Sequence, residues 1–120
     1  MANWAPNGWH SITPRLVVDD VGEQVAFLRE AFGATGTYVE GRPAELKIGD
    51  SMVMVSGVGV REAMPASLYL YVEDADATFA KAVAAGATVI EEPLDTAYGD
   101  RRGMVRDRGG NMWQIATRKV

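Results

Sequence analysis

Cysteine is absent from the chain of 120 residues, and histidine occurs once, at His10. The first absence excludes disulfides, thiolate catalysis, zinc ribbons and thioredoxin-like redox sites, and makes a cytoplasmic address the default expectation. A basic surplus is also missing, since 12 Lys and Arg stand against 16 Asp and Glu for a formal net charge of -4. Without a basic stripe to neutralise phosphates, nucleic acid is not an expected partner. No apolar run approaches the roughly 20 residues that a membrane-spanning helix requires, so no membrane partner is expected either. The N-terminal stretch Met1 to Trp9 lacks the charged and apolar regions of a signal peptide. What is present, 48% hydrophobic and 23% charged residues over this length, suits one compact core, and 1–120 reads as a single domain.

Hydrophobic periodicity then divides the chain into elements. Trp9 to Val18 reads as a strand, with Pro14 marking an edge position or a bulge. Asp19 and Asp20 suit a helix N-terminus, Val21, Val25, Leu28 and Phe32 form one helical stripe, and Gly33 supplies a left-handed stop. Short strands are expected over Thr35 to Glu40, Ala44 to Ile48 and Ser51 to Val55, with Gly49-Asp50 as a hairpin pair. After a connector from Gly57 to Pro65 the order begins again. Ser67 to Val72 is a strand, Asp74 to Ala85 a helix stopped by Gly86, and Ala87 to Glu91 a strand. A loop through Pro93 and Gly99 leads to strands at Arg102 to Arg106 and Asn111 to Thr117, and the Asp100-Arg101-Arg102 charge cluster reads as a soluble turn.

The two halves match residue by residue. Leu16, Val18 and Asp20 correspond to Leu70, Val72 and Asp74 at an offset of 54, Gly33-Ala34-Thr35 to Gly86-Ala87-Thr88 at 53, and Gly49 and Met52 to Gly109 and Met112 at 60. Three blocks in one order point to duplication of a β-α-β-β-β unit. The fold expected is α+β: two tandem βαβββ modules, about residues 9–56 and 66–118, forming a curved mixed sheet around a concave cleft, with helices on the outer face.

Strand alternation assigns the side chains to two faces. Ile12, Leu16, Val18, Leu46, Ile48, Val53, Val55, Leu68, Leu70, Val72, Trp113 and Ile115 form an apolar set expected beneath the helices. The complementary set is mixed, aromatic and rich in methionine, which suits a ligand cleft. From it Arg15, Met52, Met54, Tyr69, Tyr71, Met104, Met112 and Gln114 are taken as ligand-binding candidates. Trp4, Trp9 or Tyr98 would close over this lining, and Glu45, Arg102 and Arg106 are further polar groups on the same faces.

The paired module order, the Leu-Val-Val-Asp-Asp and Leu-Tyr-Val-Glu-Asp strand-to-helix junctions, and the closing segment Arg106-Asp107-Arg108-Gly109-Gly110-Asn111-Met112-Trp113 resemble the vicinal oxygen chelate superfamily. That superfamily includes glyoxalase I, extradiol dioxygenases, fosfomycin-resistance enzymes and bleomycin-resistance proteins. The resemblance covers Thr13 to Lys119 and speaks for fold far more than for activity. It implies four metal-ligand positions, which counting from the junctions and the final hairpins puts at Thr13, Met54, Ser67 and Gln114. Hydroxyls and a thioether are poor donors for divalent ions, and one amide oxygen cannot hold a metal alone. Neither metal nor other cofactor is therefore expected, and the resemblance narrows to the metal-less, bleomycin-resistance-like branch.

Two functions follow as expectations. The first is non-catalytic binding of an apolar or aromatic small molecule, sequestering a polycyclic natural product such as an antibiotic. The alternative is a metal-independent or degenerate glyoxalase- or dioxygenase-like enzyme, with Glu45 or His10 as proton carrier. His10 reads more simply as a surface residue, and no catalytic triad forms around it. A stand-alone structural domain is the third possibility. The resemblance further implies a homodimer whose clefts borrow residues from the partner chain.

Overall fold

A computed structural model describes residues 4–59 and 61–119. Met1, Ala2 and Asn3, which open the N-terminal stretch considered above, lie outside the described residues, as do Val60 in the connector and Val120. The first module comprises β1 (Arg15–Val18), α1 (Val21–Phe32), β2 (Thr35–Thr37), β3 (Ala44–Ile48) and β4 (Ser51–Gly57). The second repeats the order with β5 (Ser67–Tyr71), α2 (Ala75–Ala84), β6 (Thr88–Asp95), β7 (Asp100–Arg106) and β8 (Met112–Arg118).

Local chemistry explains the helix limits. The Asp20 carboxylate accepts the Glu23 amide at 3.0 Å and Asp74 accepts that of Ala77 at 3.1 Å, so each helix begins at an aspartate cap. Gly33 ends α1 at φ 68°, a conformation glycine adopts without a Cβ penalty. The strands assemble into two four-stranded mixed sheets of identical order, β1-β4-β3-β2 and β5-β8-β7-β6. The inferred repeat is visible in the register, because Arg15 pairs with Met54 across β1 and β4 just as Tyr69 pairs with Gln114 across β5 and β8.

One apolar cluster joins both modules. Leu16, Leu28, Leu46, Val55, Val105 and Ile115 are fully buried within it, and Phe32 of α1 packs on Trp113 of β8 with ring centroids 4.8 Å apart. A polar lock reinforces this seam. Asp107, in the β7–β8 turn, accepts Gln24 Nε2 of α1 at 2.8 Å, Trp113 Nε1 at 2.8 Å and the Asn111 amide at 2.9 Å. Gln24, Asp107, Asn111 and Trp113 are all buried. A side chain at Gly109 would run into the Gln24 amide oxygen, so the turn approaches the helix as closely as it does only because that position is glycine.

Three expectations are corrected. β1 starts at Arg15, not Trp9, and Ile12 is 85% exposed rather than part of the core. The reason lies at Pro14, whose carbonyl accepts the Met54 amide at 2.9 Å but which has no N–H to continue the ladder. β6 runs on through Pro93 to Asp95 instead of yielding to a loop there. It is the edge strand of its sheet and changes register between Val89 and Glu91 and again between Glu91 and Leu94, conditions under which a strand proline is tolerated. Lastly, Asp100 does not lie in a solvated turn: it opens β7 and is 1% exposed.

Candidate functional site

The sheet faces turned away from the core carry the candidate side chains. On the first sheet Arg15, Met52 and Met54 share a face with Glu45 and Lys47, through the cross-strand pairs Arg15 with Met54, Glu45 with Met54, and Lys47 with Met52. Met52, Met54 and Glu45 line a cavity of about 470 Å³ together with Thr37, Val39 and Arg42. On the second sheet Ser67 pairs with Met112, Tyr69 with Gln114 and Gln114 with Met104, which places the other five candidates on a common face. A cleft of about 880 Å³ opens between the modules, lined by Phe32, Ile48, Leu70, Tyr71, Val72 and Arg118 among others. Tyr71 is the one candidate that borders it. Neither of these two cavities is lined by candidates from both sheets.

The four positions implied for metal ligands carry weak donors, and their surroundings oppose a cation. Arg15 Nη2 donates to the Met54 sulfur at 3.4 Å and Nη1 to Ser56 Oγ at 3.1 Å. Arg102 Nη1 reaches Gln114 Oε1 at 3.4 Å. A guanidinium thus stands against the last-strand position of each module, where a divalent ion would meet like charge. Thr13 and Ser67 add only hydroxyls. Among the described residues, no group of three or more His, Asp or Glu side chains is placed to hold an ion. These residues do not fit the metal that the fold family implies.

The most connected polar cluster lies on the second sheet. Tyr69 and Tyr71, two residues apart on β5, point to the same face with ring centroids 5.2 Å apart. Both hydroxyls donate to Asp100 Oδ2, at 2.6 and 2.8 Å. Tyr98 lies 3.1 Å from the Tyr69 hydroxyl and accepts Arg102 Nη1 at 3.1 Å, while Arg102 Nη2 is paired with Glu91. Ala116 sits between Tyr71 and Arg102 in register and leaves room for these long side chains. The electrostatics follow from the contacts. Hydrogen bonds from Tyr69, then Tyr71, hold the Asp100 carboxyl below the usual aspartate range despite its burial. Burial, then the bond to Asp100, pushes the Tyr69 phenol upward; for Tyr71 the bond to Asp100 leads. Tyr98 moves the other way, because its oxygen once ionised would accept from both Tyr69 and Arg102. Asp100 Oδ1 and Arg102 Nε are buried without a partner.

Sequence reasoning placed Tyr69, Tyr71 and Gln114 on this face but missed Asp100, the residue that organises it. Parity would have found it. Extending the strand from Arg102 two residues upstream puts Asp100 on the face of Arg102 and Met104. Met104 stands beside the cluster, paired with Gln114 and Glu91, whereas His10, Glu45 and Trp4 lie apart from it. His10 is exposed and outside any strand, Glu45 is exposed, and Trp4 is 75% exposed. Tyr98, considered as a closing residue, does stand against Tyr69.

Comparison with known proteins agrees with this architecture. The model of the Glyoxalase/Bleomycin resistance protein/Dioxygenase superfamily matches residues 10–115. The uncharacterized protein Rv0887c of Mycobacterium tuberculosis is 33% identical over 126 residues, covering 88% of this chain and 72% of that protein. Its Mycobacterium bovis counterpart Mb0911c is likewise 33% identical, with 88% and 81% covered. Among solved structures, TioX from Micromonospora sp. ML1 superposes with a TM-score of 0.79 at 25% identity, covering 92% of this chain and 99% of TioX. A gene product of Arabidopsis thaliana gives 0.74 at 28% identity, covering 90% and 98%. Among the described residues, no helix is long and apolar enough to cross a membrane. With two matching modules, the shared strand order and a family model spanning nearly its whole length, the chain belongs to the Glyoxalase/Bleomycin resistance protein/Dioxygenase superfamily.

Proposed function

We propose that this protein is a metal-less, non-catalytic member of its superfamily that captures an aromatic or polycyclic small molecule, a drug-sequestering role of the kind suited to an antibiotic. The observation that carries this reading is the donor set at Thr13, Met54, Ser67 and Gln114, with Arg15 and Arg102 directed at two of those positions. Two hydroxyls, a thioether and one amide oxygen are a poor donor set for a Lewis-acid metal. Exposed tyrosine and half-buried methionine side chains remain, and broad contact with flat, polarizable groups gives affinity without many fixed polar partners. Arg15, Met52, Met54, Tyr69, Tyr71, Met104, Met112 and Gln114 would line the ligand.

The two candidate faces belong to different sheets, which favours a homodimer in which the first module of one chain meets the second of its partner. Thermal-shift and fluorescence screens against planar polycyclic compounds and flavins test capture. A concentration-dependent rise in Tm with at least one such compound supports it, and no response at high micromolar concentration overturns it. Sedimentation velocity tests the dimer, which a monomer at working concentration would refute.

A further inference from the structure

Two well-exposed tyrosines over a fully buried carboxylate are more than a ligand platform needs for stacking alone. Tyr69 is 38% exposed and Tyr71 56% exposed, whereas Asp100 beneath them is 1% exposed. A phenol has a single proton. Tyr69 donates its own to Asp100 Oδ2 at 2.6 Å, and Tyr71 does the same at 2.8 Å. The contact between Tyr69 and Tyr98 at 3.1 Å must then use the proton of Tyr98. The Tyr98 oxygen in turn receives Arg102 Nη1, because a guanidinium can only donate. The proton order is thereby fixed as Arg102 to Tyr98 to Tyr69 to Asp100, with Tyr71 feeding the same acceptor. No phenol on this face has a proton left for a ligand; Tyr69, which receives Tyr98, keeps one lone pair, and Tyr71 keeps one beside the Arg118 guanidinium.

We propose that the Tyr69–Tyr71 face selects planar aromatic ligands that carry an N–H or O–H donor on the ring edge, because Asp100 commits the tyrosine protons and leaves acceptors toward the ligand. This selection rests on the capture reading and names the chemistry of what is captured. A ligand that offers only an acceptor meets lone pair against lone pair, while one that donates completes the chain. Asp100 acts as a positioning residue: it touches no ligand and works through the direction of the two hydroxyls. Replacing it with asparagine removes the charge that commits both phenol protons, so that a proton held only by a neutral amide can turn to the ligand.

Carbazole, dibenzofuran and fluorene test this directly, since the three tricycles have nearly the same shape and differ in presenting an N–H, an ether oxygen or a methylene. Carbazole is expected to bind about fivefold to tenfold tighter than either of the others, the worth of one net hydrogen bond. Tyr71→Phe and Asp100→Asn are each expected to shrink that preference to about twofold or less. Circular dichroism checks the fold of Asp100→Asn. Should that variant fail to fold, Tyr71→Phe, a change on an exposed side chain, decides alone. Equal binding of the three compounds, or a preference that survives the variants, removes the selection and leaves capture standing. Binding of none of them removes the selection, and capture falls with it when the wider screen of polycyclic compounds and flavins is silent too.

Discussion

Replacing Asp107 with alanine tests the lock that holds α1 to the last hairpin. Its carboxylate accepts Gln24 Nε2, Trp113 Nε1 and the Asn111 amide within 2.9 Å, and all of these residues are buried. Truncation leaves three donors without acceptors, each costing about 1–3 kcal/mol. A cavity of about 150 Å³ beside Gln24 and Gly109 lets water reach part of the site, which favours the lower end of that range. The expected loss is therefore about 3 kcal/mol, a large share of the roughly 5–15 kcal/mol that stabilises a typical domain. Urea unfolding followed by tryptophan fluorescence measures it, with Trp113 as a buried reporter at 2% exposure. A double-mutant cycle with Gln24→Ala should return a coupling of about 0.5–3 kcal/mol, as expected for directly bonded partners. A loss below about 1 kcal/mol with no coupling would refute the assignment of this network as the seam between modules.

Asp100 has a folded-state pKa held below the ordinary 3.8, so its bonds to the tyrosines contribute stability above that value and lose it as pH falls through the folded one. Comparing wild type with Asp100→Asn from neutral to acid pH should show a stability gap that is flat near neutrality and closes in acid; a gap that widens in acid contradicts the assignment. Among the three phenols of this cluster, Tyr98 should ionise first on an ultraviolet titration, and Tyr69 and Tyr71 should stay protonated past the ordinary value of 10.0. Loss of the earliest step in Tyr98→Phe checks this. Gly103→Ala places a methyl 2.6 Å from the Phe79 ring and should destabilise by about 1–3 kcal/mol, read from a thermal melt.

Much of the fold was legible because two periodicities and their caps are written into the chain. Asp20, Gly33 and Asp74 bracket helices whose limits agree with the sequence to within a residue or two, and the offsets of 54 and 60 reappear as strand register. Ile12 and Pro93 misled for one physical reason: whether a strand continues depends on its neighbour in the sheet, which alternation does not reveal. The site was half legible. Tyr69, Tyr71 and Gln114 follow from parity on known strands, whereas Asp100 needed the true start of β7. Charges in a turn and charges buried at a strand end look alike in sequence, and only the tyrosine hydroxyls facing Asp100 separate them.

Isothermal titration of a planar polycyclic ligand in the presence and absence of excess EDTA addresses metal-free capture most directly. The expected result is saturable binding with the same affinity in both titrations. Binding that disappears on chelation and returns with a divalent ion would contradict it.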